Sequence, residues 1–210
     1  MVVSCMTSSA ASSPSQIAVR SPATQAQRDS VHEEPQGLLA IARHYIRDVI
    51  YGANDGIITT FAVVAGVTGG ALSARAVLIV GVANLLADGL SMGVGNNLSI
   101  RSHESALAAM GRPEEESSPL RHGVATLLAF VAAGAVPLVP YVLQTVEANR
   151  FALSLILTFV TRFAVGALRA AVTTDRWLSA GLEMLLLGVA VAVAAYGSGA
   201  LIASIVGSQL

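Results

Sequence analysis

Five long apolar segments limit what this chain can fold into. They are residues 56–74, 76–100, 123–146, 151–172 and 184–210, and only Asp88, Arg162 and Arg169 place a charge inside them. A helix needs about 20 predominantly apolar residues to cross the ~30 Å hydrocarbon core of a bilayer. The segments lack the alternating pattern of a transmembrane barrel. The sequence therefore predicts an all-α membrane protein with five transmembrane helices, at about residues 48–72, 76–100, 122–144, 151–172 and 178–206.

The composition excludes several other classes of protein. Hydrophobic residues make up 54% of the 210 residues and charged residues only 12%, whereas a soluble domain carries roughly 25% charged residues. The formal net charge of −1 offers no basic surface for nucleic acid. The single cysteine, Cys5, excludes an intrachain disulfide and a multi-cysteine metal cluster. An ordinary soluble globule, a disordered protein and a nucleic-acid binder are thus all excluded.

The arginines predict an orientation in the bilayer. All 12 basic residues are arginine, and nine of them precede the first span, lie in the second or fourth connection or, in the case of Arg169, end the fourth span next to that connection. Only Arg75 and Arg150 lie in connections on the opposite side. Because positive charge accumulates in cytoplasmic loops, the N-terminus is expected in the cytoplasm. A bacterial inner membrane is the favoured location of this multi-pass protein and an organelle membrane the second.

The ends of the spans divide the chain further. Residues 1–36 are rich in Ser, Ala, Gln and Pro without an apolar core, which predicts a disordered cytoplasmic tail, with a transit-like presequence as the alternative. Residues 37–210 form the five-helix domain. Residues 37–50 have helical apolar spacing and are expected to be an interfacial lead-in. Residues 101–121 are expected to form an acidic cytoplasmic loop.

Polar side chains recur at helical spacing within the spans. Asp48 and Asp55 are two turns apart on the first helix, and Asn84, Asp88 and Met92 follow at four-residue intervals on the second. Carboxylate and carboxamide oxygens with a thioether suit a first-row divalent metal such as Fe²⁺ or Mn²⁺. Carboxylates within a membrane can also carry protons. These five residues are therefore candidate metal ligands, and Glu183 is a candidate proton relay or supporting residue.

Each candidate has a structural alternative. Asp48 could solvate a helix end, Asp55 could cap a helix break, and Asn84 could hydrogen-bond between helices. Met92 could fill the core. Glu183 could pair with Arg162 or Arg169, and Arg162 could otherwise snorkel towards the interface.

Small residues predict where helices approach closely. Gly52 and Gly56 on the first helix and Gly89 and Gly93 on the second form small-xxx-small patterns. Because these glycines lie beside the acidic residues, we expect the first two helices to form the core of the site.

The segments Arg47–Gly70 (RDVIYGANDGIITTFAVVAGVTGG) and Ala83–Ser102 (ANLLADGLSMGVGNNLSIRS) resemble the vacuolar iron transporter family. The resemblance continues through the third and fifth helices. It implies a homodimer of five-helix protomers that exports Fe²⁺, and often Mn²⁺, from the cytosol in exchange for protons. By position in the motifs, Asp55 resembles the mid-membrane metal ligand, Asp48 the entrance acid and Met92 the thioether ligand.

The segment between the second and third helices departs from the family's long-loop members. It is too short for their cytoplasmic metal-binding domain, which implies a short form. Its polar residues could still attract cations weakly, although a solvated acidic loop is the alternative; they are His103, Glu104, Glu114, Glu115 and Glu116.

The expected function is therefore transport of Fe²⁺ or Mn²⁺ as substrate, with no permanently bound cofactor. Lipid, protons and a second protomer are the expected partners. A non-transporting scaffold or metal sensor, or a transporter of another divalent cation, is the alternative. An enzyme is not expected, because no nucleophile has a plausible base and all four histidines lie outside the five apolar segments: His32, His44, His103 and His122.

Overall fold

The computed structural model describes residues 37–143, 147–172 and 176–207. Within them the chain forms six α-helices and no strand: α1 (Leu38–Gly69), α2 (Ala74–Ala109), α3 (Pro119–Gly134), α4 (Val139–Val142), α5 (Glu147–Val172) and α6 (Trp177–Gly207). A 3₁₀ helix, Val136–Leu138, joins α3 to α4. The predicted tail, residues 1–36, lies outside the described residues.

Five helical segments are long and apolar enough to cross a membrane. They are α1, α2, the run from α3 through α4, α5 and α6. This confirms the predicted all-α membrane fold with five transmembrane helices.

Two helices extend beyond their predicted bounds. The lead-in at residues 37–50 is continuous with the first span in α1, because nothing in its apolar repeat interrupts the helix. The second helix continues to Ala109 rather than ending near residue 100, so the predicted loop at 101–121 is shortened to residues 110–118. The charged residues after Ile100 are compatible with a solvated helix, and hydropathy alone does not mark such a helix's end.

Gly111 ends α2 and reverses the chain. Its φ is +71°, a conformation that glycine adopts without steric cost. The N–H of Gly111 donates to the carbonyl of Ala108 at 3.1 Å, and the N–H of Arg112 donates to that of Leu107 at 3.0 Å. These two bonds are the Schellman arrangement of a helix C-terminus. The turn directs the following acidic segment back along α2.

Two prolines shape the far end of the third span. Pro137 and Pro140 lack the N–H that a helix requires, and each ring crowds the preceding turn. The helix therefore tightens into the 3₁₀ segment before α4. Ser154 of α5 donates to the carbonyl of Pro137 at 2.7 Å, which satisfies a backbone acceptor at the break.

The predicted packing glycines all face α3. A Cβ on Gly52 would lie 2.4 Å from the carbonyl oxygen of Thr126, and one on Gly56 would lie 2.3 Å from that of Phe130. A Cβ on Gly93 would lie 2.8 Å from the carbonyl oxygen of Gly123, and Gly89 faces side chains of α3. The glycines expected beside the site therefore pack α1 and α2 closely on a third helix, α3, whose part the sequence did not predict.

Arg162 is buried between α5 and α6, with 1% of its surface exposed. Its Nε and one terminal nitrogen donate to the backbone carbonyl of Met184 at 2.9 and 2.7 Å. Arg162 pairs with no acid among the described residues, and its buried side chain does not snorkel to the interface. Both predicted alternatives are therefore wrong. The long side chain fits because Gly188 faces it, where a Cβ would lie 2.7 Å from Nε.

An apolar core fills one half of the bundle. It contains Phe61, Val64, Ala65, Val77, Leu85, Phe130, Leu138 and Tyr141. Relative to this core, the start of α1, the end of α2 and the start of α3 lie at the other end of the bundle. That end carries the polar residues described below.

We predict that Gly56→Ala destabilises the bundle, because its Cβ would overlap the backbone of Phe130. Overpacking of this kind costs about 1–3 kcal/mol. Gly95→Ala is the matched control, since nothing lies within 4 Å of the Cβ it would add. Thermal unfolding in detergent, followed by helical circular dichroism, should show a lower midpoint for Gly56→Ala only. Equal midpoints for the two variants would contradict the close contact between α1 and α3.

Candidate metal-binding site

The carboxylate of Asp48 is buried where α1, α2 and α3 meet, with 2% of the residue exposed. Asn96 of α2 donates its Nδ2 to Oδ1 at 2.8 Å. His122 of α3 places its Nδ1 2.6 Å from Oδ2. Because carboxylate oxygens accept hydrogen bonds, Nδ1 is the donor. The alternative that Asp48 solvates a helix end is wrong.

The hydrogen bonds continue from Asn96 into α3. Its Nδ2 also donates to Thr126 Oγ1 at 2.8 Å, and that hydroxyl donates to the carbonyl of His122 at 2.9 Å. Thr126 is fully buried and His122 is 2% exposed. One polar network therefore joins the three helices inside the bundle.

One stripe of α2 carries the polar residues of the second span. Asn84, Asp88, Met92 and Asn96 recur every four residues and are all half-buried, as expected for one helix face. The stripe lies beside the buried glycines that contact α3. The predicted grouping of Asn84, Asp88 and Met92 on one face is therefore present, and Asn96 extends it towards Asp48.

Asp55 of α1 and Asp88 of α2 lie at the same level of the bundle, because their neighbours Gly56 and Gly89 both face Phe130 of α3. Both acids are half-buried. Within the described residues, no arginine or histidine forms an ion pair with either carboxylate. Next in the chain to Asp55, the carboxamide oxygen of Asn54 is buried and has no hydrogen-bond partner among the described residues. Two neighbouring acids and an unsatisfied acceptor are a combination that a cation would stabilise.

Met92 packs against the apolar core. Within one protomer, the contacts of Met92 are therefore those of a residue that fills the core. No hydrogen bond of the Asn84 side chain is found in the described part of the chain, so the interhelical-bond alternative has no partner there.

A second polar cluster lies beyond Asp48. His44 of α1, Glu116 of the α2–α3 connection and His122 of α3 place their ligand atoms within 4.8 Å of one another. Glu116 Oε2 is 3.1 Å from His122 Nε2 and 3.6 Å from His44 Nε2. The rings of His44, Tyr45 and His122 also contact one another, with centroids 4.8–4.9 Å apart.

The acidic connection is more ordered than a solvated loop. Glu104 on α2 accepts the backbone N–H of Glu115 at 3.2 Å and that of Glu116 at 2.9 Å. Glu115 lies 3.5 Å from His103 and 3.2 Å from Arg112. The five polar residues expected to attract cations thus have different surroundings. Glu104 binds the backbone of the connection, His103 and Glu115 contact each other at the surface, and Glu114 is exposed. Only Glu116 belongs to the cluster with His44 and His122.

Glu183 is not among the residues of this polar network. Its carboxylate is exposed and lies 3.4 Å from Arg169. The contact joins the last turn of α5 to the first turns of α6. This geometry matches the ion-pair alternative with Arg169, and such an exposed pair contributes about 0–1 kcal/mol.

Sequence reasoning missed three members of the network, Asn96, His122 and Thr126. Asn96 could have been found by extending the four-residue repeat of α2 by one step. His122 lies outside the apolar segments, but the structure buries it in the first turn of α3. Its position after Pro119, a residue favoured at the first turn of a helix, was the available signal.

The fold and polar interior define a polytopic membrane protein with acidic residues in its spans. The sequence model of the VIT family matches residues 46–117 and 101–200. The chain therefore belongs to the VIT family, and the predicted resemblance is confirmed. Residues 110–118 alone connect α2 to α3, so this member is a short form without a separate domain at that position.

Curated relatives are named vacuolar iron transporters. A protein of Toxoplasma gondii is 45% identical over 71 residues, covering 34% of this chain and 24% of its own. Vacuolar iron transporter 1 of Eucalyptus grandis is 25% identical over 213 residues, covering 74% of this chain and 86% of its own. Vacuolar iron transporter 1 of Arabidopsis thaliana is 35% identical over 96 residues, covering 42% and 38%. The matched region thus spans only a quarter of the Toxoplasma relative and most of the Eucalyptus one.

We predict that Asn96→Ala destabilises the protein, because it removes a hydrogen bond to the buried carboxylate of Asp48. Hydrogen bonds to charged groups contribute about 1.5–3 kcal/mol. The matched control is Asn97→Ala, which truncates a half-buried neighbour of the same type. Thermal unfolding in detergent should separate the two variants. If Asn97→Ala lowers the midpoint as much as Asn96→Ala does, the network around Asp48 contributes no particular stability.

Proposed function

We propose that this protein transports Fe²⁺ or Mn²⁺ out of the cytosol in exchange for protons. Membership of the VIT family and relatives named vacuolar iron transporters support a metal transporter. The direction, the proton exchange and the choice between the two metals are part of the proposal.

The observation that carries the proposal is the pair of carboxylates of Asp55 and Asp88. Two charged carboxylates at the same level of neighbouring spans are costly within a membrane, and neither has a basic partner among the described residues. A divalent cation bound between them would neutralise the repulsion. Protons would do the same when the metal leaves, which is the basis of exchange.

The remaining candidates extend this pair into a path. Asp48 lies seven residues before Asp55, which is about 10 Å along α1, and is the proposed entrance acid. Asn84 supplies a carboxamide oxygen beside Asp88, and Met92 a thioether that favours Fe²⁺ over the harder Ca²⁺ and Mg²⁺. Met92 would reach the metal by turning away from the apolar core, or in the interface of a dimer.

A homodimer is part of the proposal. Only 6% of the most apolar window of α6 is buried within one protomer, which leaves room for a partner as well as for lipid. Light scattering of the detergent-solubilised protein would measure its mass. The cytoplasmic N-terminus also belongs to the proposal, as does the membrane, either a bacterial inner membrane or that of an organelle.

We predict that Asp55→Asn abolishes metal transport, because it removes one of the two charges that would bind the cation. Fe²⁺ and Mn²⁺ uptake by proteoliposomes, with and without a pH gradient, measures this directly. Glu183→Gln should keep the wild-type rate, since that carboxylate is exposed and paired with Arg169.

The pH gradient tests the coupling separately. Uptake that depends on the pH gradient would support metal–proton exchange. Uptake that does not depend on the gradient would support the metal path but exclude its coupling to protons. Transport at the wild-type rate by a folded Asp55→Asn variant would refute the assignment of Asp55. A wild-type protein that moves neither metal would favour another divalent cation or a sensor role.

A further inference from the structure

In the cluster of His44, Glu116 and His122, the ring of His122 lies between the carboxylates of Asp48 and Glu116. The Nδ1–H of His122 donates to Asp48, which leaves Nε2 of a neutral ring as an acceptor. That nitrogen faces Glu116 Oε2, a second acceptor, at 3.1 Å. Two acceptors at this distance repel each other unless a proton or a metal ion lies between them.

The separations in the cluster suit a metal ion. Two ligands bound at ~2.1 Å with tetrahedral angles lie ~3.4 Å apart. The contacts of Glu116 with the two histidines, at 3.1 and 3.6 Å, bracket this value. All three ligand atoms lie within 4.8 Å of one another, so closure of the widest pair by about 1.4 Å would complete the set.

Asp48 supplies the outer contact that metal-binding histidines characteristically have. A carboxylate that accepts the Nδ1–H fixes the ring orientation and makes Nε2 a better ligand. His122 is 2% exposed, and Asp48 is itself held by Asn96 at 2.8 Å. The direction of Nε2 is therefore set by the buried carboxylate of Asp48 rather than by solvent.

Glu116 is also held in place, through its backbone. The Schellman turn at Gly111 returns the connection along α2. Glu104 then holds the backbone N–H groups of Glu115 and Glu116. The neighbouring Glu115 is directed to His103 and Arg112 instead, so only one of the two carboxylates enters the cluster.

We propose that His44, Glu116 and His122 form a binding site for a first-row divalent metal ion at this end of the bundle. Two imidazole nitrogens and one carboxylate suit Fe²⁺, Mn²⁺, Co²⁺ or Zn²⁺ better than Ca²⁺ or Mg²⁺. Three protein ligands leave further coordination positions open. Asp48, which shares His122, lies next along α1, so the site would deliver metal to the path. That delivery role depends on the proposed function, whereas binding does not.

The test is a titration of the purified full-length protein with Co²⁺, whose visible ligand-field absorption reports nitrogen and oxygen ligation. All variants carry Asp55→Asn, which removes the proposed transport site from the measurement. His44→Ala is the informative substitution, because it removes one ligand and leaves the contact between His122 and Asp48 intact. His103→Ala is the matched control, since that histidine is exposed and lies 3.5 Å from Glu115.

We expect His44→Ala to weaken Co²⁺ binding at least about tenfold, as large as the effect of losing an outer-shell partner, and His103→Ala to leave it unchanged. Equal affinity for the two variants would overturn the proposal. Absence of the absorption in the Asp55→Asn background would overturn it as well, and would leave a proton bridging His122 and Glu116. Co²⁺ binding that depends on His44, together with a wild-type protein that transports neither Fe²⁺ nor Mn²⁺, would keep this site and refute the proposed function alone.

Discussion

The buried carboxylate of Asp48 is the constraint on which the polar half of the bundle depends. A charge inside a membrane protein is costly unless neighbouring groups satisfy it, and here two other helices provide those groups. Asn96 donates from α2 and His122 from α3. The contact with His122 also fixes the start of α3 and the orientation of its ring. The adjoining connection, held by Glu104, brings Glu116 to the other nitrogen of that ring, Nε2.

Such short side chains can meet only because the helices approach closely. Gly52 and Gly56 bring the backbone of α1 against α3, and Gly93 brings α2 against Gly123 of the same helix. A larger residue at these positions would separate the backbones and lengthen the hydrogen bonds that cross between the helices. The glycines therefore contribute to the site by allowing the helices to pack closely, not by supplying polar groups. Both α1 and α2 pack on α3 in this way.

Hydropathy was sufficient to predict the five spans, because each must satisfy its own backbone in lipid. Helical periodicity was sufficient to group Asp48 with Asp55 and Asn84 with Asp88. Neither signal identifies a partner helix, so the glycine patterns predicted close packing but not its direction towards α3. His122 was missed for a related reason: a polar residue at the edge of an apolar run is ordinarily solvated, and only the tertiary contact with Asp48 buries it.

The order of polar groups along the bundle has a consequence for a bound cation. The histidine cluster shares His122 with the network of Asp48, and Asp55 follows about 10 Å further along α1 with Asp88 at the same level of the bundle. Beyond this pair α1 enters the apolar core at Phe61 and Val64. A divalent ion moving in this direction would exchange water for protein ligands in steps, and each step would lie within reach of the next acid. At each step a protein ligand would then compensate the cost of burying the charge of the ion. At a single deep site, the ion would have to lose its water before any protein ligand could replace it.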